Sequence, residues 1–192
     1  MLKDLVLHNR SYRCYDSSVK ISNELLFELI SLARLTASTG NVQPLKYFIS
    51  ASEETNSLIF PLLRWAKPAA SPLDTDENAR PAAYICMFVD TNLVPALHSS
   101  YIDAGLAAQT ILLGASEQGL GGCIITNFDK VRLKRELMVT IGAYEPLMVI
   151  ALGSPNEDIV LEETGYETKC YYDGDGVRHV PKRQLMDIII GM

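Results

Sequence analysis

The chain has 192 residues, of which 48% are hydrophobic and 21% charged, and its formal net charge is −6. That size suits one compact domain spanning residues 1–192, and the acidic balance argues against a general nucleic-acid binder, whose surface is basic. No apolar run reaches the roughly 18 residues of a membrane span, and the opening "MLKDLVLHNRSYR" lacks the order of charge, apolar stretch and cleavage site of a secretory leader. The first clear element is "SNELLFELISLARLTAS", residues 22–38, which reads as a helix. Ser22 is placed to cap it, Leu25, Leu26, Leu29, Ile30 and Ala33 share one face, and Gly40 and Pro44 end it.

A short strand, "LKYFISAS", follows, and residues 53–64 read as a second helix. Pro68, Pro72 and Pro81 punctuate a polar loop over 65–81. "AAYICMFVD" is then a buried strand. "HSSYIDAGLAAQTILLGASEQGLG", from His98, is the strongest helix, apolar on almost every side and therefore central. "GGCIITNF" is a strand running into a turn, Asp129 caps a helix over "DKVRLKRELMV", and "PLMVIALGSP" is a strand long and apolar enough for the interior of a sheet. From about residue 155 the tail is polar, turns at "DGDG" and ends in "VPKRQLMDIIIGM". Four strands interleaved with about five helices predict an α/β or α+β layered domain with a sheet covered on both faces. The strand order is not readable from the pattern.

Four stretches could carry chemistry. Arg10 and Arg13 flank Ser11 in "NRSYRCYD"; guanidinium forks and a hydroxyl match a phosphate, and a pair of surface arginines beside an N-terminal helix is the plain alternative. "ASTGNVQP" gathers Ser38, Thr39, Asn41 and Gln43, either to hydrogen-bond a planar ring or as a capping turn. The glycines of "GLGGCIITNF" precede a strand, so they are not a dinucleotide fingerprint; they allow close backbone approach to a ligand or form a tight helix-to-strand turn. Lys182 and Arg183 form a second cation pair, otherwise a solvated basic patch. His8, His98 and His179 have no triad setting. Cys14, Cys86, Cys123 and Cys170 have neither CxxC nor zinc-ligand spacing, which points to reduced thiols in a cytoplasm and to no metal. An enzyme of this composition would draw its reactivity from a cofactor.

Taken in order, "NRSYRCY", "ASTGNVQPL", "AGLAAQTILLGASEQGLGGCI" and "PKRQL" resemble the nitroreductase family of FMN-dependent oxidoreductases over nearly the whole chain. The resemblance implies an α+β fold, a mixed sheet flanked by helices, in an intertwined homodimer with FMN at the subunit interface. Arg10, Ser11 and Arg13 would bind the FMN phosphate and ribityl chain, and Lys182 and Arg183 would meet the same phosphate. Ser38, Thr39 and Asn41 would reach the flavin of the second subunit. The backbone of Ile125, Thr126 and Asn127 would lie over the reactive ring nitrogen and offer it an N–H. The helix from His98 would form the dimer core.

The implied activity is ping-pong transfer of electrons from NADH or NADPH through FMN to a small acceptor, a nitroaromatic, quinone or enone. No catalytic side chain, nucleic acid or membrane is involved, though Tyr12 or Cys123 could line the pocket. A reductase or dehalogenase specific for one metabolite, and a flavin-binding sensor or store, are the alternatives. The chain departs from the family pattern at Asn9, Ala37, Leu45 and Ile124, where arginine, proline, tryptophan and an aromatic residue are usual. The last two changes bear on the substrate pocket.

Overall fold

The computed structural model describes residues 1–66, 76–94, 97–140 and 142–191. The chain divides into two compact units, residues 1–155 and 156–192, and each is described by itself. Most of the loop read at 65–81 lies outside the described residues.

The N-terminal unit is built on strands β1 (Tyr15–Asp16), β2 (Leu45–Ser50), β3 (Ala83–Asp90), β4 (Gly121–Ile125) and β5 (Tyr144–Pro155). β5 and β3 lie side by side, β2 joins the far side of β3, and β4 and β1 both pair with β5; every one of these ladders is antiparallel. The layered α+β fold expected from the sequence is present. β3 shows why its strand reads as continuously apolar. Ile85, Met87 and Val89 enter one core with Leu26, Leu29, Ala104, Ala108 and Ile111. Tyr84, Cys86 and Phe88 enter a second core with Ile59, Leu62, Leu133 and Leu137. Alternate side chains of a strand point to opposite faces, so a strand covered on both faces is apolar at every position.

The helices that cover these faces are α1 (Leu2–His8), α2 (Asn23–Ala33), α3 (Glu53–Ile59), α4 (Leu97–Glu117) and α5 (Lys130–Glu136). The caps read from the sequence are made: the Ser22 hydroxyl accepts from the Leu25 N–H, and the Asp129 carboxylate accepts from the Arg132 N–H. α2 stops at Ala33, five residues before Ser38. The Leu35 and Thr36 N–H groups close tighter turns onto Leu32 and Ala33, and Ser38 and Thr39 are drawn off to a partner on α4. Pro61 has no N–H to continue the α3 ladder, and residues Phe60–Leu62 form a 3₁₀ turn instead. α4 is apolar all round but only partly covered: Ala104, Ala107, Ala108 and Ile111 are buried, whereas Tyr101, Ile102 and Leu106 form an exposed stripe. Among the described residues no helix is long and apolar enough to cross a membrane.

The C-terminal unit has a sheet of its own where the sequence reads as a polar tail. β6 (Ile159–Thr164) pairs in parallel with β8 (Arg178–Arg183), and β7 (Tyr171–Tyr172) pairs antiparallel with β8. The "DGDG" turn is present. The Asp173 carboxylate accepts from the N–H groups of Asp175 and Val177, fixing the loop between β7 and β8.

Candidate functional site

The segment from Arg10 to Arg13 is short and tightly held. α1 ends at Asn9, and the chain turns back so that the Arg10 guanidinium donates to the Val6 carbonyl at 2.5 Å and the Tyr12 hydroxyl donates to the His8 carbonyl at 2.9 Å. Arg13 donates to the Ser11 carbonyl at 3.1 Å. The Tyr12 N–H donates to the Gly122 carbonyl at 3.0 Å, and Ser11 forms a parallel bridge with Gly122. The cation-bearing stretch is thereby docked at the start of β4. Gly121 makes the docking possible: a Cβ there would stand 2.2 Å from the Tyr12 ring. The sequence reading reserved the room at these glycines for a ligand or a tight turn; at Gly121 the Tyr12 ring takes it.

β4 then runs to Ile125, which is buried, while Thr126 and Asn127 are exposed. This exit is braced from the 3₁₀ turn after α3. The Arg64 N–H donates to the Asn127 carbonyl, the Asp129 N–H donates to the Leu62 carbonyl, and Leu63 bridges Phe128. One strand therefore carries the arginine segment at its start and residues 125–127 at its end. Four residues at strand rise separate Gly122 from Thr126 by about 13 Å. Ile124, in the position of the family aromatic, is 38% exposed. Cys123 is buried in the core, which fits an inert thiol.

The turn at Ser38–Gln43 is mounted separately, on α4. Asp103 is 3% exposed, and its carboxylate accepts from the Ser38 hydroxyl at 2.7 Å, the Thr39 N–H at 3.0 Å and the Thr39 hydroxyl at 2.9 Å. The Ser38 oxygen in turn accepts from the Gln43 N–H. Between them the backbone is left-handed at Gly40 (φ 60°), Asn41 (φ 55°) and Gln43 (φ 53°). Glycine and asparagine adopt this region readily; glutamine does so at a cost, which the surrounding hydrogen bonds must offset. Thr39 and Asn41 stay exposed at the tip. The turn borders a cavity of about 160 Å³ lined by Ala33, Arg34, Leu45, Tyr47 and Asp103 among others. Asp103 was missed in the sequence reading. Its signal was an acidic residue inside an otherwise apolar helix, which has to find buried donors.

In the C-terminal unit Lys182 and Arg183 are exposed at the end of β8, in register with Glu163 and Thr164 of β6. On the same strand His179 is clamped by two carboxylates, with Nδ1 3.3 Å from Glu162 and Nε2 3.1 Å from Asp173, and its ring stacks on Tyr171 at 4.6 Å. The hydrogen bond to Asp173, aided by Glu162, raises the His179 pKa above its ordinary value of 6.5. A histidine with a raised folded value contributes stability that is complete below 6.5 and lost as pH rises through the folded value. The His179 ring resonances should therefore titrate with a midpoint above 6.5 in an NMR pH series, and His179→Gln should remove that transition. A midpoint at or below 6.5 would contradict the clamp.

The structure thus brings Arg10, Ser11 and Arg13 onto the strand that ends at Ile125, Thr126 and Asn127. It fixes Ser38, Thr39 and Asn41 on α4, and sets Lys182 and Arg183 side by side in the second unit. Comparison with known proteins gives the same picture of the fold. The chain is 23% identical to YodC of Bacillus subtilis (strain 168), provisionally named an NAD(P)H nitroreductase, over 78% of this chain and 87% of that one. Its fold matches a provisional nitroreductase of Exiguobacterium sibiricum 255-15, solved in complex with FMN, at TM-score 0.68 and 22% identity, covering 82% and 89% of the two chains. It also matches CLA-ER, a gut-bacterial enone reductase, at TM-score 0.68 and 17% identity, covering 82% and 90%. The model of the nitroreductase family matches residues 6–154, which include the arginine segment, the Asp103-held turn and all of β4, and on that match the chain belongs to the nitroreductase family.

Proposed function

We propose that this nitroreductase-family oxidoreductase is FMN-dependent and passes electrons from NADH or NADPH to a small electron-poor acceptor, a nitroaromatic, quinone or enone, in ping-pong order. The observation that carries the reading is the mounting of Arg10, Ser11 and Arg13 at one end of β4 and the exposed 125–127 exit at the other. The donor set fits FMN. Two guanidinium groups and a hydroxyl within four residues suit a dianionic phosphate, and the length of one short strand is a separation that the phosphate, ribityl chain and ring of one FMN together can span. The name of the Bacillus relative and the FMN complex of the Exiguobacterium protein support the same cofactor and donor.

FMN, when bound, supplies the electron-pair acceptance and release that the side chains lack. The protein's part is to bind, orient and polarise. Arg10 and Arg13 neutralise the phosphate, with Ser11 as a further donor, and Lys182 and Arg183 are assigned to the same anion. The backbone of Ile125–Asn127, braced by Arg64 and Leu62, presents its groups without having to reorganise. The exposed turn Ser38–Asn41 serves the site of a second copy of the chain. The stripe Tyr101, Ile102 and Leu106 on α4 supports that homodimer, because an exposed apolar helix face gains by burial against an identical one.

The test is an anaerobic titration of FMN-loaded protein. NADH or NADPH is expected to bleach the flavin band, and a nitroaromatic, quinone or enone to restore it without oxygen. Bleaching by dithionite alone, with neither nicotinamide effective, would overturn catalysis and leave a flavin-binding role.

A further inference from the structure

A second cleft, of about 310 Å³, opens in the N-terminal unit, and none of its lining residues belongs to the candidate flavin site. Its walls are the turn after β1 (Ser17, Lys20), α3 (Asn56, Ser57) and the segment Glu77–Ala82, and Tyr84 of β3 reaches it from the core. The walls are tied to one another. The Ser17 N–H donates to the Asn78 carbonyl, while Asn56 accepts from the Ser50 hydroxyl and donates to the Ala82 carbonyl. Ser50 and Tyr84 face each other across the β2–β3 ladder, so the cleft stands at that corner of the sheet, whereas the arginine segment is docked on β4.

Two donors in this cleft have no acceptor among the described residues. Tyr84 is 1% exposed and lines the cleft, and its hydroxyl has no hydrogen-bond partner among the described residues. The Nε–H of Arg80 is buried without an acceptor, while the side chain as a whole is 31% exposed and presents its guanidinium to the cleft. The rest of Arg80 is fixed: Nη1 holds Glu77 at 2.8 Å, and the guanidinium lies over the Phe60 ring at 4.5 Å from its centroid. A buried polar group without a partner is costly, and the great majority in folded proteins are satisfied by protein or solvent. Burial also raises the Tyr84 pKa, so the phenol stays protonated and remains a donor at neutral pH. Lys20 adds an ammonium at the exposed side. Glu53 also lines the cleft and Glu77 is already engaged, so the cleft as a whole has no net charge and would not concentrate polyanions.

We propose that this cleft is a second ligand site, taking a small monocarboxylate whose oxygens accept from Tyr84 and Arg80 and whose apolar body lies against Phe60. The volume stands at the low end of small-molecule sites, which run from roughly 300 to 1,000 Å³. A single aromatic or short aliphatic acid fits that size, and a nucleotide does not.

The experiment is a benzoate titration of FMN-loaded protein followed by ¹H–¹⁵N NMR and by the flavin absorption band. We expect saturable shifts clustered at Ser57, Phe60, Arg80 and Tyr84, with a Kd of about 1 mM or tighter, the range open to a pair of charge-assisted hydrogen bonds. The flavin band should not change with them. Tyr84→Phe removes only the unmatched hydroxyl. It should weaken benzoate roughly tenfold or more while leaving the melting temperature equal or higher and FMN content unchanged. Arg80→Gln should weaken it comparably. Benzoate binding that is undiminished in both variants, shifts confined to Ile125–Asn127 with a change in the flavin band, or no saturable shift in the cleft would each overturn the proposal. The flavin assignment stands or falls separately, on the anaerobic titration.

Discussion

Arg13→Ala is expected to give protein that folds normally but purifies without colour. Arg13 is half-buried, and its guanidinium is steadied by the Ser11 carbonyl at 3.1 Å, so it is already aimed when a phosphate arrives. A hydrogen bond to a charged group contributes about 1.5–3 kcal/mol, which corresponds to roughly 10- to 150-fold in FMN affinity. The fold should survive the change, because Arg13 lies outside both hydrophobic cores. The measurement is FMN per chain after desalting, beside a thermal melt of the cofactor-free protein. Arg13→Lys should recover part of the affinity, because an ammonium keeps the charge and loses the fork. Full FMN content in Arg13→Ala would remove the phosphate from this segment. The same assay on a Lys182→Ala, Arg183→Ala double variant reads the second pair independently.

Asp103→Ala is expected to have the largest effect on stability of any single change at the site. It strips the partner from the Ser38 hydroxyl, the Thr39 N–H and the Thr39 hydroxyl at once. Bonds to a buried carboxylate are worth about 1.5–3 kcal/mol each, and the three are coupled, so a loss of about 3 kcal/mol in urea denaturation is the reasonable scale. The variant should also hold FMN less well, because the turn that carries Asn41 is no longer fixed. The pH dependence has a definite sign. Burial acts to raise the Asp103 carboxyl, but the hydrogen bonds from Ser38 and Thr39 outweigh it and hold the pKa below the ordinary 3.8. A depressed carboxyl contributes fully above 3.8 and loses that contribution as pH falls through the folded value. The stability gap between wild type and Asp103→Ala should therefore be flat near neutrality and close only in acid. Asp103→Asn, which keeps the shape and one acceptor, should fall between them. An Asp103→Ala protein with wild-type stability and FMN content would mean that the turn holds itself.

The parts of the fold that were legible are those where local chemistry and burial agree. Ser22 and Asp129 cap the helices they were read to cap, and β3 and β5 are apolar because both faces are covered. Where long-range bonds decide, the pattern misleads. The helix from Ser22 reads as far as Ser38 because nothing in the local sequence shows that a carboxylate 65 positions away will claim Ser38. The sheet at 156–192 escaped for a different reason. β6 is mostly half-exposed, β8 buries only Arg178 and Pro181, and the unit relies on that Arg178 near Glu157 and on the His179 clamp rather than on alternating apolar residues. At the site, the clusters were visible as clusters, but the role of Gly121 was not. Only the position of the Tyr12 ring reveals what a side chain there would strike.

The docking of Ser11 and Tyr12 on Gly122 also covers the start of a sheet border. β4 is bonded to β5 along one side, and on the other the returning N-terminal segment bridges it at Gly122. A strand with an open side is a template for further strands, and proteins shield such borders to stay dispersed. Proteolytic trimming beyond residue 12 would uncover this one, so precipitation of the clipped chain should accompany its bleaching. The same few residues would then serve both as cofactor ligands and as a guard against self-association.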